Sequence, residues 1–112
     1  MGRLRAGAGF AALAAVSTSA LAEDATLSGE SLYLRHCAAC HQVDGSGSPD
    51  FAPAVDGSTV LAAPVDAVVT YLETGSDSGA YINKMPGFSY LDPAELTRIA
   101  QYAVHAFAPE TD

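Results

Sequence analysis

The chain has 112 residues, 49% of them apolar and 16% charged, which is room for one small domain. Thirteen acidic residues against five basic ones give a net charge of −8. That balance disfavours a nucleic-acid partner, because binding a phosphate backbone needs clustered Lys and Arg.

Residues 1–22 read as an export signal. Arg3 and Arg5 form a positive start, Ala6 to Val16 is an apolar run of small residues, and Ala20-Leu21-Ala22 fits an A-x-A cleavage pattern. The alternative, a single membrane helix, is disfavoured because the run falls short of the ~20 residues that span a bilayer. Cleavage after Ala22 would leave residues 23–112 as one domain, with no stable membrane insertion. Losing the two arginines would take the side-chain charge from −8 to −10. Such a surface favours a partner with a basic docking patch, since opposite charge speeds encounter. The plainer alternative is that acidity only aids solubility.

The pattern predicts an all-α domain of three main helices joined by irregular loops, with no strand. The first helix starts after Ser28, a good N-cap, and runs into Cys37–His41, with Gly29, Leu32 and Tyr33 on one face. Gln42 to Ala63 is rich in Gly, Ser, Pro and Asp and reads as a wrapping loop. A second helix starts at Pro64, a favoured first-turn residue. Its stripe is Val65, Val68, Val69 and Leu72, and Gly75 is its C-cap. Ser76 to Leu91 is a second loop, containing Lys84-Met85-Pro86-Gly87-Phe88. The last helix has Asp92 as N-cap, Pro93 at N1 and Glu95 at N3, a capping-box pattern. Leu96, Ile99, Ala100, Ala103 and Phe107 share its buried face, and Pro109 ends it.

Cys37-Ala38-Ala39-Cys40-His41 carries the chemistry. C-x-x-C-H is the attachment sequence for a c-type haem. Residues three apart on a helical turn share a face, so both thiols can reach the two vinyl groups on one porphyrin edge. His41 follows at once and can bind the iron from one side. These are the only cysteines. A zinc site built from Cys37, Cys40, His36 and His41 is too crowded for a tetrahedron, and a thioredoxin-type dithiol needs alternating strands and helices. A covalent haem would also staple a domain this small, supplying apolar surface at its centre. Thioethers cannot reshuffle in an oxidising compartment, which suits export.

The second axial position has four candidates: Met85, His36, His105 and Lys84. Met85 is the only methionine left after signal removal, and Pro86 stiffens its loop. A thioether favours Fe(II) and raises the reduction potential. A gap-filling core methionine is the alternative. His105 lies ~180° from Leu96 on the last helix, taking about 100° per residue, and so faces solvent. His36 is held on the wrong side by the attachment of Cys37, and Lys84 points to solvent or to a haem propionate.

With these residues placed, the chain resembles the class I c-type cytochromes over nearly all of residues 23–112. The resemblance implies the cytochrome c fold, with helices and loops wrapped around one covalent haem c. It implies that Pro53, in Pro53-Ala54-Val55-Asp56-Gly57, accepts a hydrogen bond from His41 through its carbonyl. Valine stands at Val55 where the family usually has leucine. The resemblance also implies a close crossing of the first and last helices through Gly29 and Tyr33 against Ile99, Tyr102 and Ala103. It matches Phe88 to the loop aromatic beside the methionine, although Phe88 and Ile99 read better as core residues. Tyr71 and Tyr81 are candidate hydrogen-bond partners for a propionate or the Met85 sulfur.

The expected function is a periplasmic one-electron carrier, not an enzyme, with Cys37 and Cys40 as haem thioethers and His41 and Met85 as axial iron ligands. Its partners would be redox proteins. The rivals are a dedicated haem c subunit of a larger periplasmic dehydrogenase or oxidase, and a haem enzyme or gas sensor with a labile sixth ligand.

Overall fold

The computed structural model describes residues 27–110. The expected export signal and its cleavage site lie outside the described residues. Among the described residues there are four α-helices: α1 (Gly29–His36), α2 (Ala38–His41), α3 (Val65–Thr74) and α4 (Pro93–Phe107). A short 3-10 turn covers Thr59–Ala62. No strand occurs among these residues, only isolated bridges between Ser48 and Ala52 and between Ser76 and Met85.

The helix starts follow their caps. The Ser28 hydroxyl accepts from the Ser31 N–H at 3.1 Å. At α4 the Ala94 N–H donates to Asp92 Oδ1 at 2.9 Å, and the Asp92 N–H donates to Glu95 Oε1 at 3.2 Å, closing the capping box. Each such cap satisfies donors that the first turn leaves free, at about 1 kcal/mol per cap.

Two boundaries differ from expectation. The first helix is broken at Cys37, where the backbone moves to φ −120°, ψ −34°. Its N–H still reaches the Tyr33 carbonyl at 2.8 Å, while the His41 N–H starts a new turn on the Cys37 carbonyl at 3.0 Å. The break lets the two pieces serve different neighbours: Leu32 and Tyr33 bury against α4, and Cys37 and His41 face a cavity. Pro64 is the N-cap of α3 rather than its first residue, because its ψ of 153° is extended. The loop before it also contains the 3-10 turn, which buries Leu61.

The first and last helices cross tightly. Gly29 makes this possible, because a Cβ there would overlap the Arg98 carbonyl oxygen and lie 2.8 Å from the Tyr102 Cβ. The Arg98 Nε–H donates to the Leu27 carbonyl at 2.9 Å, tying the chain before α1 to α4. Beside the crossing, the Tyr33 ring sits 5.6 Å from Tyr102 and 5.3 Å from Phe107, in tilted contacts that aromatic quadrupoles favour. Leu32, Leu96 and Val68 are fully buried, and Ile99, Ala100, Ala103 and Phe107 complete the α4 face. Each such leucine stabilises the fold by about 2 kcal/mol. The Gly57 N–H bonds the Phe107 carbonyl at 2.7 Å and fastens the first loop to the end of α4.

Candidate functional site

A cavity of ≈ 520 Å³ opens between the two loops and the faces of α1, α3 and α4. That size lies within the range of sites that enclose a small organic group. Leu61, Val68, Leu72, Ile99 and Ala103 give it an apolar wall. Cys37, Cys40, His41, Pro53 and Met85, five residues from three segments of the chain, all line it.

α2 places the first three. Cys37 is buried and Cys40 exposed, and both are free thiols. Burial, with a smaller contribution from Cys40, pushes the Cys37 thiol up to about 11, so it stays neutral. His41, the last residue of α2, is buried. Its Nδ1 lies 2.8 Å from the Pro53 carbonyl oxygen. A carbonyl can only accept, so Nδ1 carries the proton and the ring's lone pair is on Nε2. Among the described residues no hydrogen bond uses Nε2.

The first loop holds this arrangement through its own polar groups. The Gly47 N–H bonds the His41 carbonyl at 2.9 Å, and the Ser48 hydroxyl bonds the Cys40 carbonyl at 2.8 Å. The Gln42 amide donates to that hydroxyl at 2.7 Å. The end of α2 therefore has partners for its last carbonyls. The Tyr33 hydroxyl donates to the Gln42 carbonyl at 2.7 Å. Burial, then the neighbouring Cys37, pushes Tyr33 up to about 12. Further along the loop, Ser46 holds the Asp44 carboxyl below its usual range.

Met85 arrives on the second loop. Its N–H and carbonyl pair with Ser76 at 2.8 and 3.0 Å, and the Phe88 N–H bonds the Leu72 carbonyl at 2.8 Å. The side chain is half-buried. The two loops also meet, since the Ile82 N–H donates to the Asp50 carbonyl at 2.8 Å.

The other candidate ligands are placed as follows. His105 is exposed on α4 and does not line the cavity. Lys84 lines the rim, but its side chain is 75% exposed and 3.8 Å from Asp77. His36 lines the cavity edge-on to Phe88, with centroids 6.4 Å apart. Tyr71 and Tyr81 both line the cavity, half-buried. Among the described residues no group of three or more Cys, His, Asp or Glu is placed to hold a bare metal ion.

Tyr33 was legible only as a packing residue, yet it also lines the cavity. Gly75 was legible only as a helix cap, yet it packs against the Met85 backbone. The cap signal located Gly75, but nothing local in the sequence announces its distant neighbour.

The donor set suits one group. Two thiols three residues apart, an imidazole with a free Nε2 and an apolar wall fit a covalently held haem, and Met85 brings a thioether to the same cavity. Comparison with known proteins decides the family: residues 24–102 match the family described as cytochrome c oxidase, cbb3-type, subunit III. The chain belongs to that family. It is a small class I c-type cytochrome, all-α, with one covalently bound haem c as cofactor. It is therefore a haem c electron carrier, and redox proteins are its partners.

Two solved structures are similar in fold. The KustC0563 c-type cytochrome matches at a TM-score of 0.55 and 21% identity, over 72% of this chain and 99% of that one. The c-type cytochrome XoxG from Methylobacterium extorquens AM1 matches at 0.56 and 21%, over 75% of this chain and 57% of that one. At that identity the likeness shows the fold alone. No curated protein matches the sequence. Among the described residues no helix is long and apolar enough to cross a membrane.

Proposed function

We propose that this chain is a periplasmic one-electron carrier whose haem is closed on both faces by His41 and Met85, and that it is not an enzyme. Bound haem c supplies a one-electron Fe(III)/Fe(II) couple. Cys37 and Cys40 tether it as thioethers. His41 presents Nε2 to the iron, and Pro53 holds the ring from behind. That hydrogen bond fixes the tautomer and makes the imidazole a stronger donor. Met85 supplies the soft sulfur that favours Fe(II). The apolar wall of Leu61, Val68, Leu72, Ile99 and Ala103 excludes water and favours a high potential. With His41 and Met85 both holding the iron, no position would be left on it for a substrate.

The observation that carries the reading is the His41–Pro53 hydrogen bond at 2.8 Å. It leaves Nε2 as the ring's one metal-binding atom in a cavity that Met85 also lines. The optical spectrum tests it. The oxidised protein is expected to be low-spin with the weak long-wavelength band of His/Met haem. Met85→Ala should abolish that band, lower the potential and keep the haem attached. A band that survives the substitution removes Met85 from the iron.

Export through a signal cleaved after Ala22 belongs to this proposal. It predicts Glu23 as the first residue of the periplasmic form. A basic docking patch on the partner would make electron transfer fall as salt rises.

The family description favours a second reading, a dedicated haem subunit of a larger oxidase. Size-exclusion of native extract separates the two. Co-elution with one large enzyme at high salt supports the subunit, and elution as a small protein supports the free carrier.

A further inference from the structure

A thioether is only a weak hydrogen-bond acceptor, so Met85 has no polar handle like the Nδ1 of His41. Its position must come from its backbone. That backbone lies against Gly75, the residue that ends α3. Gly75 sits at φ 78°, ψ −170°, a region essentially reserved to glycine. A Cβ there would overlap the Met85 carbonyl oxygen and stand 2.7 Å from the Gly87 nitrogen and 2.8 Å from the Pro86 carbonyl carbon. Gly87 faces the other way: a Cβ on it would overlap the Glu73 carbonyl oxygen and stand 3.1 Å from the Thr74 carbonyl. Two absent side chains thus let Met85-Pro86-Gly87 lie flush on the last turn of α3. The Ser76–Met85 pair of hydrogen bonds and the Phe88–Leu72 bond fasten the segment at both ends.

We infer that Gly75 is a positioning residue for Met85: the bare backbone of Gly75, with that of Gly87, sets how far the Met85 sulfur reaches into the cavity. The inference rests on the reading of Met85 as an axial ligand. A side chain at position 75 would lift the whole segment off α3 and carry the sulfur with it. Ligand constellations tolerate only about 0.5 Å of displacement. Gly57 provides an internal control, because it has nearly the same φ, 79°, and nothing within 4 Å of its Cβ position.

The test compares haem-loaded wild type with Met85→Ala, Gly75→Ala, Gly87→Ala and Gly57→Ala. The readouts are the long-wavelength ferric band and CO uptake by the reduced protein. Wild type and Gly57→Ala are expected to show the band and exclude CO. Met85→Ala and Gly75→Ala should lose most of the band and take up CO while the haem stays covalently attached. Gly87 has no left-handed φ, so alanine there adds only the steric contact, and it should behave like Gly75→Ala. If Gly75→Ala yields no haem-loaded protein, Gly87→Ala decides the matter. A full-strength band in Gly75→Ala, or in Gly87→Ala in that case, overturns the positioning role and leaves Met85 as ligand. Loss of the band in Gly57→Ala also overturns it, since strain alone would then suffice. A band missing from wild type, or retained in Met85→Ala, overturns the ligand reading itself.

Discussion

The two loops that flank the cavity hold their key residues by different means. The first loop grips His41 through its side chain, with the Pro53 carbonyl on Nδ1, and caps α2 with Ser48 and Gln42. The second loop holds Met85 only through the main chain, by the Ser76 pair and the Phe88–Leu72 bond. The difference follows from the side chains. An imidazole has a second nitrogen that a protein acceptor can orient, and a thioether has none. The His side is therefore set by directional bonding, and the Met side by how closely two stretches of backbone approach.

Substitutions can break this contrast at several depths. The largest effect is expected from Cys37→Ala with Cys40→Ala, which removes both proposed tethers; haem should no longer migrate with the chain on a denaturing gel. Next is Gly29→Ala, which disturbs the scaffold common to both loops. The overlap with the Arg98 carbonyl and the Tyr102 Cβ should cost about 2–3 kcal/mol in guanidinium unfolding. The ferric band of the folded protein should survive, because neither loop is touched directly. Asp92→Ala removes the capping box at α4 and should cost about 1 kcal/mol by the same measurement.

The smallest effect is pH-dependent and concerns the His side. Burial raises Tyr33 from 10.0 to about 12, so the folded state holds that proton more tightly than the unfolded chain. The stability this provides is complete below pH 10 and is lost as pH rises through about 12. Tyr33→Phe loses the hydrogen bond to Gln42 and should be about 1 kcal/mol less stable at neutral pH. The gap to wild type should narrow between pH 10 and pH 12. A constant gap across that window would show that Tyr33 is not the group titrating.

Much of this architecture was legible in the sequence because its signals are local. Ser28, Gly75 and Asp92 mark helix ends through hydrogen bonds within one turn, and the α4 stripe from Leu96 to Phe107 is buried as its spacing implies. Cys37, Cys40 and His41 were legible for the same reason, since one short turn carries all three. The break at Cys37 was not, because Ala38 and Ala39 suit a helix and only the diverging neighbours of the two pieces bend the chain. The packing of Gly75 on Met85 and the Asp50–Ile82 bond were not legible either, because each depends on how two irregular loops fold back.

The crossing at Gly29 also bears on how the molecule is made. The Arg98–Leu27 bond joins residues 71 apart, and α1 packs along α4 from the opposite end of the domain. Such contacts are rewarded only after a long loop has closed, which slows folding. A growing chain cannot complete this core until its final helix has been synthesised. Until then Leu32 and Tyr33 lack the α4 face that buries them. The last fifteen-residue helix acts as the molecule's closing latch.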